Sequence, residues 1–182
     1  MLFRLGILGL ITVLISAGLP LQAQETNPQE TSPQESNPTV SLPSFPNNCE
    51  PLPLVGGQGS EVTKEVSPPS LNIPLPGPAS VGTRNNWHTD WFISNSGAYQ
   101  SYMVIFMPQE NREYDVSMYL KYPDDTDQRF YREQRIDLTA DEPITVEVAP
   151  ERSDLAPYQV NTNIGGIQAV GARYTVAVAG CR

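Results

Sequence analysis

One histidine, two cysteines and a turn with three aspartates are the residues of this 182-residue chain whose chemistry is most constrained by number and spacing. His88 is the sole imidazole, so a two-histidine metal site is excluded. A Ser-His-Asp triad would have to use His88, and no Gly-x-Ser-x-Gly elbow is present to carry its serine. His88 and Asp90 stand two apart on an expected strand, so both leave the same face; they offer half of a metal site or an ordinary cross-strand hydrogen bond. Asp124, Asp125 and Asp127 gather hard oxygen ligands of the kind calcium requires. The EF-hand pattern fails, because counting from Asp125 places Phe130 at the glycine position and Ile136 at the bidentate glutamate position. Calcium, the one cofactor these residues suggest, would need a non-helical site completed by carbonyls and a distant carboxylate; the alternative is a plain aspartate turn. Trp87 and Trp91 lie four apart, about 13 Å along a strand. Exposed, the two indoles would stack on successive sugar rings; buried, they would fill the core and leave His88, Asp90 and Phe92 facing out.

Charge removes another class. The net charge is -9, and the nearest basic footprint, Arg129, Arg132 and Arg135, is interleaved with Asp127, Glu133 and Asp137. That pattern reads as a solvated strand face, and nucleic acid is not an expected partner. The glycine-rich run Gly165–Gly171 lacks the Lys-Ser/Thr ending of a phosphate loop. The acids are too scattered to single out a glycosidase pair.

The elements that must position these groups divide the chain into four. Residues 1–23 read as a secretory signal peptide, with Arg4 in the n-region, an apolar stretch from Leu5 to Ile15, and Leu21-Gln22-Ala23 before the cleavage point. The uncharged span from Leu5 to Gln24 would also cross a bilayer if left uncleaved, although Gly6, Gly9, Gly18 and Pro20 weaken such a helix; membrane contact is expected only in that case. Residues 24–50 form a Pro/Gln/Glu-rich spacer with a five-residue quasi-repeat, Pro28-Gln29-Glu30-Thr31-Ser32 and Pro33-Gln34-Glu35-Ser36-Asn37, expected to be disordered and semi-stiff. Residues 51–83 read as an extended Pro/Gly-rich arm lying on the domain, with a short strand near Val62–Val66, and residues 84–182 as the folded domain. An exported location, secreted or periplasmic, permits Cys49 and Cys181 to pair, tying the end of the spacer to the last strand.

Past Arg84 the hydrophobic period is two. Tyr114, Val116, Met118, Leu120 and Tyr122 alternate with Asp115, Ser117, Tyr119 and Lys121, which predicts a strand with one buried face. The same logic places strands at 86–94, 99–107, 128–138, 144–148, 158–163 and 172–181, with 128–138 best suited to a sheet edge. About seven strands without a helical stripe predict an all-β antiparallel sandwich, with a jelly roll as second choice.

Thr89-Asp90-Trp91-Phe92, Asp115-Val116-Ser117-Met118-Tyr119-Leu120 and Arg173-Tyr174-Thr175-Val176-Ala177-Val178 occur in an order that resembles the bacterial pre-peptidase C-terminal type of β-sandwich over residues 85–180. The resemblance implies a non-catalytic accessory sandwich, sometimes calcium-bound. The expectation is an exported binding or structural module whose partner is a carbohydrate or another envelope protein. The alternatives are a small carboxylate-dependent secreted hydrolase, or a carbohydrate-binding module using Trp87 and Trp91.

Overall fold

The computed structural model describes residues 41–74, 76, 80–94 and 99–182. The expected leader, the spacer up to residue 40 and the Asn95-Ser96-Gly97 turn lie outside the described residues. Among the described residues the strands are, in chain order, β1 (Cys49–Pro51), β2 (Glu61–Glu65), β3 (Leu71–Pro74), β4 (Ser80–Thr83), β5 (His88–Phe92), β6 (Ser101–Pro108), β7 (Arg112–Lys121), β8 (Asp127–Leu138), β9 (Ile144–Val148), β10 (Gln159–Gly165) and β11 (Arg173–Cys181). All pairings between them are antiparallel. One sheet runs β9-β6-β11, with β1 and β2 both paired to β11; the other runs β5-β10-β7-β8. From β5 to β11 only β7 and β8 are consecutive and paired, because every other connection passes from one sheet to the other.

The period-two pattern becomes one packed layer between the sheets. Tyr114, Val116, Met118 and Leu120 of β7 meet Val160 and Ile164 of β10 and Trp91 of β5 on one side, and Tyr102, Val104, Phe106, Tyr174, Val176 and Val178 on the other. All of these are buried. Each large side chain so removed from water stabilises the fold by about 1.5–3 kcal/mol before entropy is counted. Phe106 sits edge-to-face on Tyr114 and Tyr174, with ring centroids 5.5 and 5.4 Å apart. Burial in this layer pushes the Tyr114 hydroxyl up to about 12, and raises those of Tyr102 and Tyr174 as well.

All seven expected strands are present. The sandwich also reaches upstream of residue 84: the arm supplies β2, and Cys49 and Glu50, at the end of the segment expected to be a disordered spacer, join Pro51 as β1, because both pair with β11. Short proline-bounded segments cover the open edge of β11: β1 pairs with its end and β2 with its beginning. Cys49 and Cys181 are register partners and are disulfide-bonded, which fits an oxidising compartment. The rest of the arm forms a separate hairpin, β3–β4, whose Leu71, Ile73 and Val81 are each more than half exposed.

Candidate functional site

The four-stranded sheet turns its second face outward, and its register sorts the polar residues into three rows across the strands. The first is His88, Asn163, Ser117, Arg132; the second Asp90, Asn161, Tyr119, Arg129; the third Phe92, Gln159, Lys121, Asp127. Amides of β10 thus form the spine, flanked by acids and aromatics on β5 and by hydroxyl and cationic groups on β7 and β8. Asp90 accepts hydrogen bonds from Gln159 Nε2 and Asn161 Nδ2, both at 2.6 Å, which fixes the spine. Lys121 and Asp127 close the third row with a 2.8 Å ion pair.

Arg129 and Arg132 share this face because β8 is bulged. A regular strand would send residues three apart to opposite faces. Here Met118 pairs with Tyr131 and Tyr119 with Arg129, leaving Phe130 as an extra residue that re-phases the strand. A second bulge lies between the Tyr114–Ile136 and Val116–Glu133 pairs, where Arg135 takes a left-handed φ of 53° and its N–H donates to Asp115 Oδ1 at 2.9 Å.

At the first two rows the face dips into a groove of about 330 Å³, lined by Trp87, Asp115, Ser117, Tyr119, Asn163, Arg129 and Arg132 among others. Trp87 forms one wall. Its backbone carbonyl accepts Ile164 N–H at 3.0 Å, extending the β5–β10 pairing by one step. Its indole lies over Gly165, where a Cβ would fall 2.3 Å from the ring, so only glycine leaves room for it. The indole N–H donates to Ser67 O at 2.8 Å. Ser67 and Asn86 are joined by reciprocal hydrogen bonds of 2.9 and 3.0 Å, and Asn86 also donates to Glu65 O, so the base of the arm anchors this wall. Lys64 braces the start of β5, donating to Asn86 O, His88 O and Thr89 Oγ1 at 2.7–3.0 Å. Burial lowers its pKa against the opposing pull of Asp90.

The sequence-derived candidates therefore separate. Trp91 faces the core, fully buried, with its Nε1 donating to Ser60 O at 2.9 Å, so it takes no part in a surface site. Trp87 turns to the other side of the sheet, because Gly165 opens a space there. The alternative of a two-indole platform is thus not formed, since only Trp87 reaches the groove, where it stands with Tyr119; the reading in which both indoles fill the core holds for Trp91 alone. His88, Asp90 and Phe92 do face outward, as the buried-tryptophan alternative requires.

Asp124, Asp125 and Asp127 share a turn in which Asp125 has a φ of 64°. Asp124 accepts hydrogen bonds from Thr126 and a 2.6 Å ion pair from Arg152, which hold its carboxyl down at about 2. An ion at this turn would have to displace Arg152 from Asp124 and Lys121 from Asp127. No group of three or more His, Cys, Asp or Glu side chains among the described residues is gathered as a metal site.

The groove was missed in sequence because Arg129 and Arg132 read as one diluted, solvated strand; the bulge that aligns them is a property of pairing. Compared with family models and with curated proteins, the sequence matches none.

Proposed function

We propose that this chain is an exported, non-catalytic carbohydrate-binding module whose binding surface is the outer face of β5-β10-β7-β8. The groove between the Trp87 indole and Tyr119 carries the reading. A sugar presents apolar C–H faces and pairs of hydroxyls. Aromatic planes take the former; the donor-and-acceptor amide of Asn163 and the donor-only guanidinium groups of the arginines take the latter. The wall is seated by hydrogen bonds to the arm rather than left on a loose loop, so little ordering entropy is lost on binding.

A non-catalytic role is supported by the small stock of catalytic side chains: one histidine, with both cysteines taken up in a disulfide. The accessory role implied by the resemblance to pre-peptidase C-terminal modules points the same way. Secretion or a periplasmic location is supported by the leader-like residues 1–23 and by a disulfide that fits an oxidising compartment.

The test is a glycan array followed by calorimetric titration of the mature protein. Binding should fall at least ~10-fold in Trp87→Ala, about 1.4 kcal/mol, and stay unchanged in Asp154→Asn, away from the groove. An array with no bound glycan refutes the reading.

A further inference from the structure

Resting on the carbohydrate reading, we infer that the groove takes a saccharide bearing carboxylates, with Arg129 and Arg132 as its recognition residues. The molecule is acidic, with 20 Asp and Glu against 11 Lys and Arg. Its other ion pairs match cations to neighbouring acids: Lys121 to Asp127, Arg152 to Asp124 and Asp154, Arg173 to Glu65, and Arg182 to Glu50. Arg129 and Arg132, like Arg84, Arg112 and Arg135, have no ion-pair partner among the described residues, and of these five only Arg129 and Arg132 line this groove.

Two acids, Asp115 and Glu133, line the groove with them. Asp115 accepts a hydrogen bond from the Arg135 backbone N–H. Glu133 pairs with Val116 but is exposed beside the second bulge and lines the groove together with Arg132, without an ion-pair contact to either arginine. Two guanidinium groups thus share the groove with two carboxylates, neither of which is ion-paired to them, and remain open to a ligand's carboxylate. Their pairing partners, Ser117 and Tyr119, are two residues apart on β7, which spaces the arginine positions by about 7 Å.

A guanidinium forms two parallel N–H···O bonds to a carboxylate, a geometry that a hydroxyl cannot satisfy in the same way. Beside the Trp87 wall, this places a charge-selective contact next to a stacking surface. An uncharged sugar would use the stacking surface and only neutral hydrogen bonds from the arginines to its hydroxyls, whereas a uronate would add the paired, charge-assisted contacts.

Uronate-containing oligosaccharides printed as free acids, as their methyl esters and beside neutral oligosaccharides would decide the matter. Binding should be confined to free acids and fall at least ~10-fold for the esters. Arg129→Gln and Arg132→Gln should each weaken the free-acid interaction by a similar factor, with melting temperatures near that of the parent protein. The free-acid affinity should also fall from low to high salt, as exposed charge contacts are screened. Equal binding of acids and esters, or arginine variants that bind free acids as the parent does, would overturn the acidic class and leave a neutral carbohydrate. No binding to any printed glycan would overturn both readings.

Discussion

The seat of Trp87 makes a sharp demand on Gly165. In Gly165→Ala the new Cβ would lie 2.3 Å from Cδ2, 2.5 Å from Cγ and 2.6 Å from Cε2 of the indole. Ordinary carbon contacts are about 3.5–4.0 Å, so the ring must retreat by about 1–1.5 Å. Overpacking of this kind costs about 1–3 kcal/mol. The displaced indole also loses its bond to Ser67 O, about 0.5–1.5 kcal/mol more. Alanine in place of a strand glycine returns about 0.5–1 kcal/mol. The expected net loss is about 2 kcal/mol, or about 6 °C in melting temperature for a domain of this size. Urea denaturation should be run on Gly165→Ala, Trp87→Ala and the double variant. With the indole gone, the alanine has nothing to strike, so its cost should vanish and the cycle should show a coupling of about 2 kcal/mol. A coupling below about 0.5 kcal/mol, with the two single effects simply adding, would mean that the indole does not rest on Gly165.

Three further outcomes follow from the fold. Cys49 and Cys181 are separated by 132 positions, and for a loop of that length the chain-entropy model attributes about 5 kcal/mol to the crosslink; the Cys49→Ser/Cys181→Ser double variant should lose several kcal/mol in urea denaturation, and a loss under about 1 kcal/mol would refute the assignment. Burial raises Tyr102, Tyr114 and Tyr174 above their unfolded value, so the stability they contribute is fully present below about pH 10 and is lost as pH rises towards their folded values; absorbance at the phenolate band should show them ionising only as the sandwich opens, and early, reversible ionisation of all tyrosines would contradict the packing. Asp124 is shifted the other way, so its contribution is present above its unfolded value near 3.8 and is lost as pH falls through about 2; Asp124→Asn should therefore melt lower than the parent at pH 7 and equal to it below pH 2, and an equal gap at both values would refute the Thr126–Arg152 bracing.

The strands were legible because they depend on alternation, a local property. Tyr114 to Tyr122 announces one buried face, and β7 buries that set. The disulfide was legible from count and compartment alone. The arm was only half legible: the short strand expected near Val62–Val66 is β2, whereas β1 is too short and too proline-bounded to show a period, and both are strands because β11 has an open edge for them. The groove depends on two pairings that no local pattern carries. One is Trp87 against Gly165, where the absence of a side chain on one strand decides which way the residue preceding its neighbour turns. The other is the β8 bulge, which has no glycine to mark it; Phe130 is simply the residue that the register skips, and the second irregularity is held by Arg135 rather than by glycine.

The two sheets differ in how far their second faces are committed to the fold. In the five-stranded sheet, Ile105, Met107, Ala177 and Ala179, which alternate with the core residues of β6 and β11, are buried as well. Substitution there would disturb packing whatever the ligand. In the four-stranded sheet the corresponding positions hold Asn163, Ser117, Tyr119, Arg129 and Arg132, side chains that contribute little apolar burial. Surface changes of this kind usually alter stability by no more than about 0.5 kcal/mol. The guanidinium groups on this face, which have no ion-pair partner among the described residues, are therefore not explained by what the sandwich needs to stand. That separation also makes the binding tests clean, since Arg129→Gln and Arg132→Gln change what the groove offers a ligand while leaving the layer between the sheets untouched.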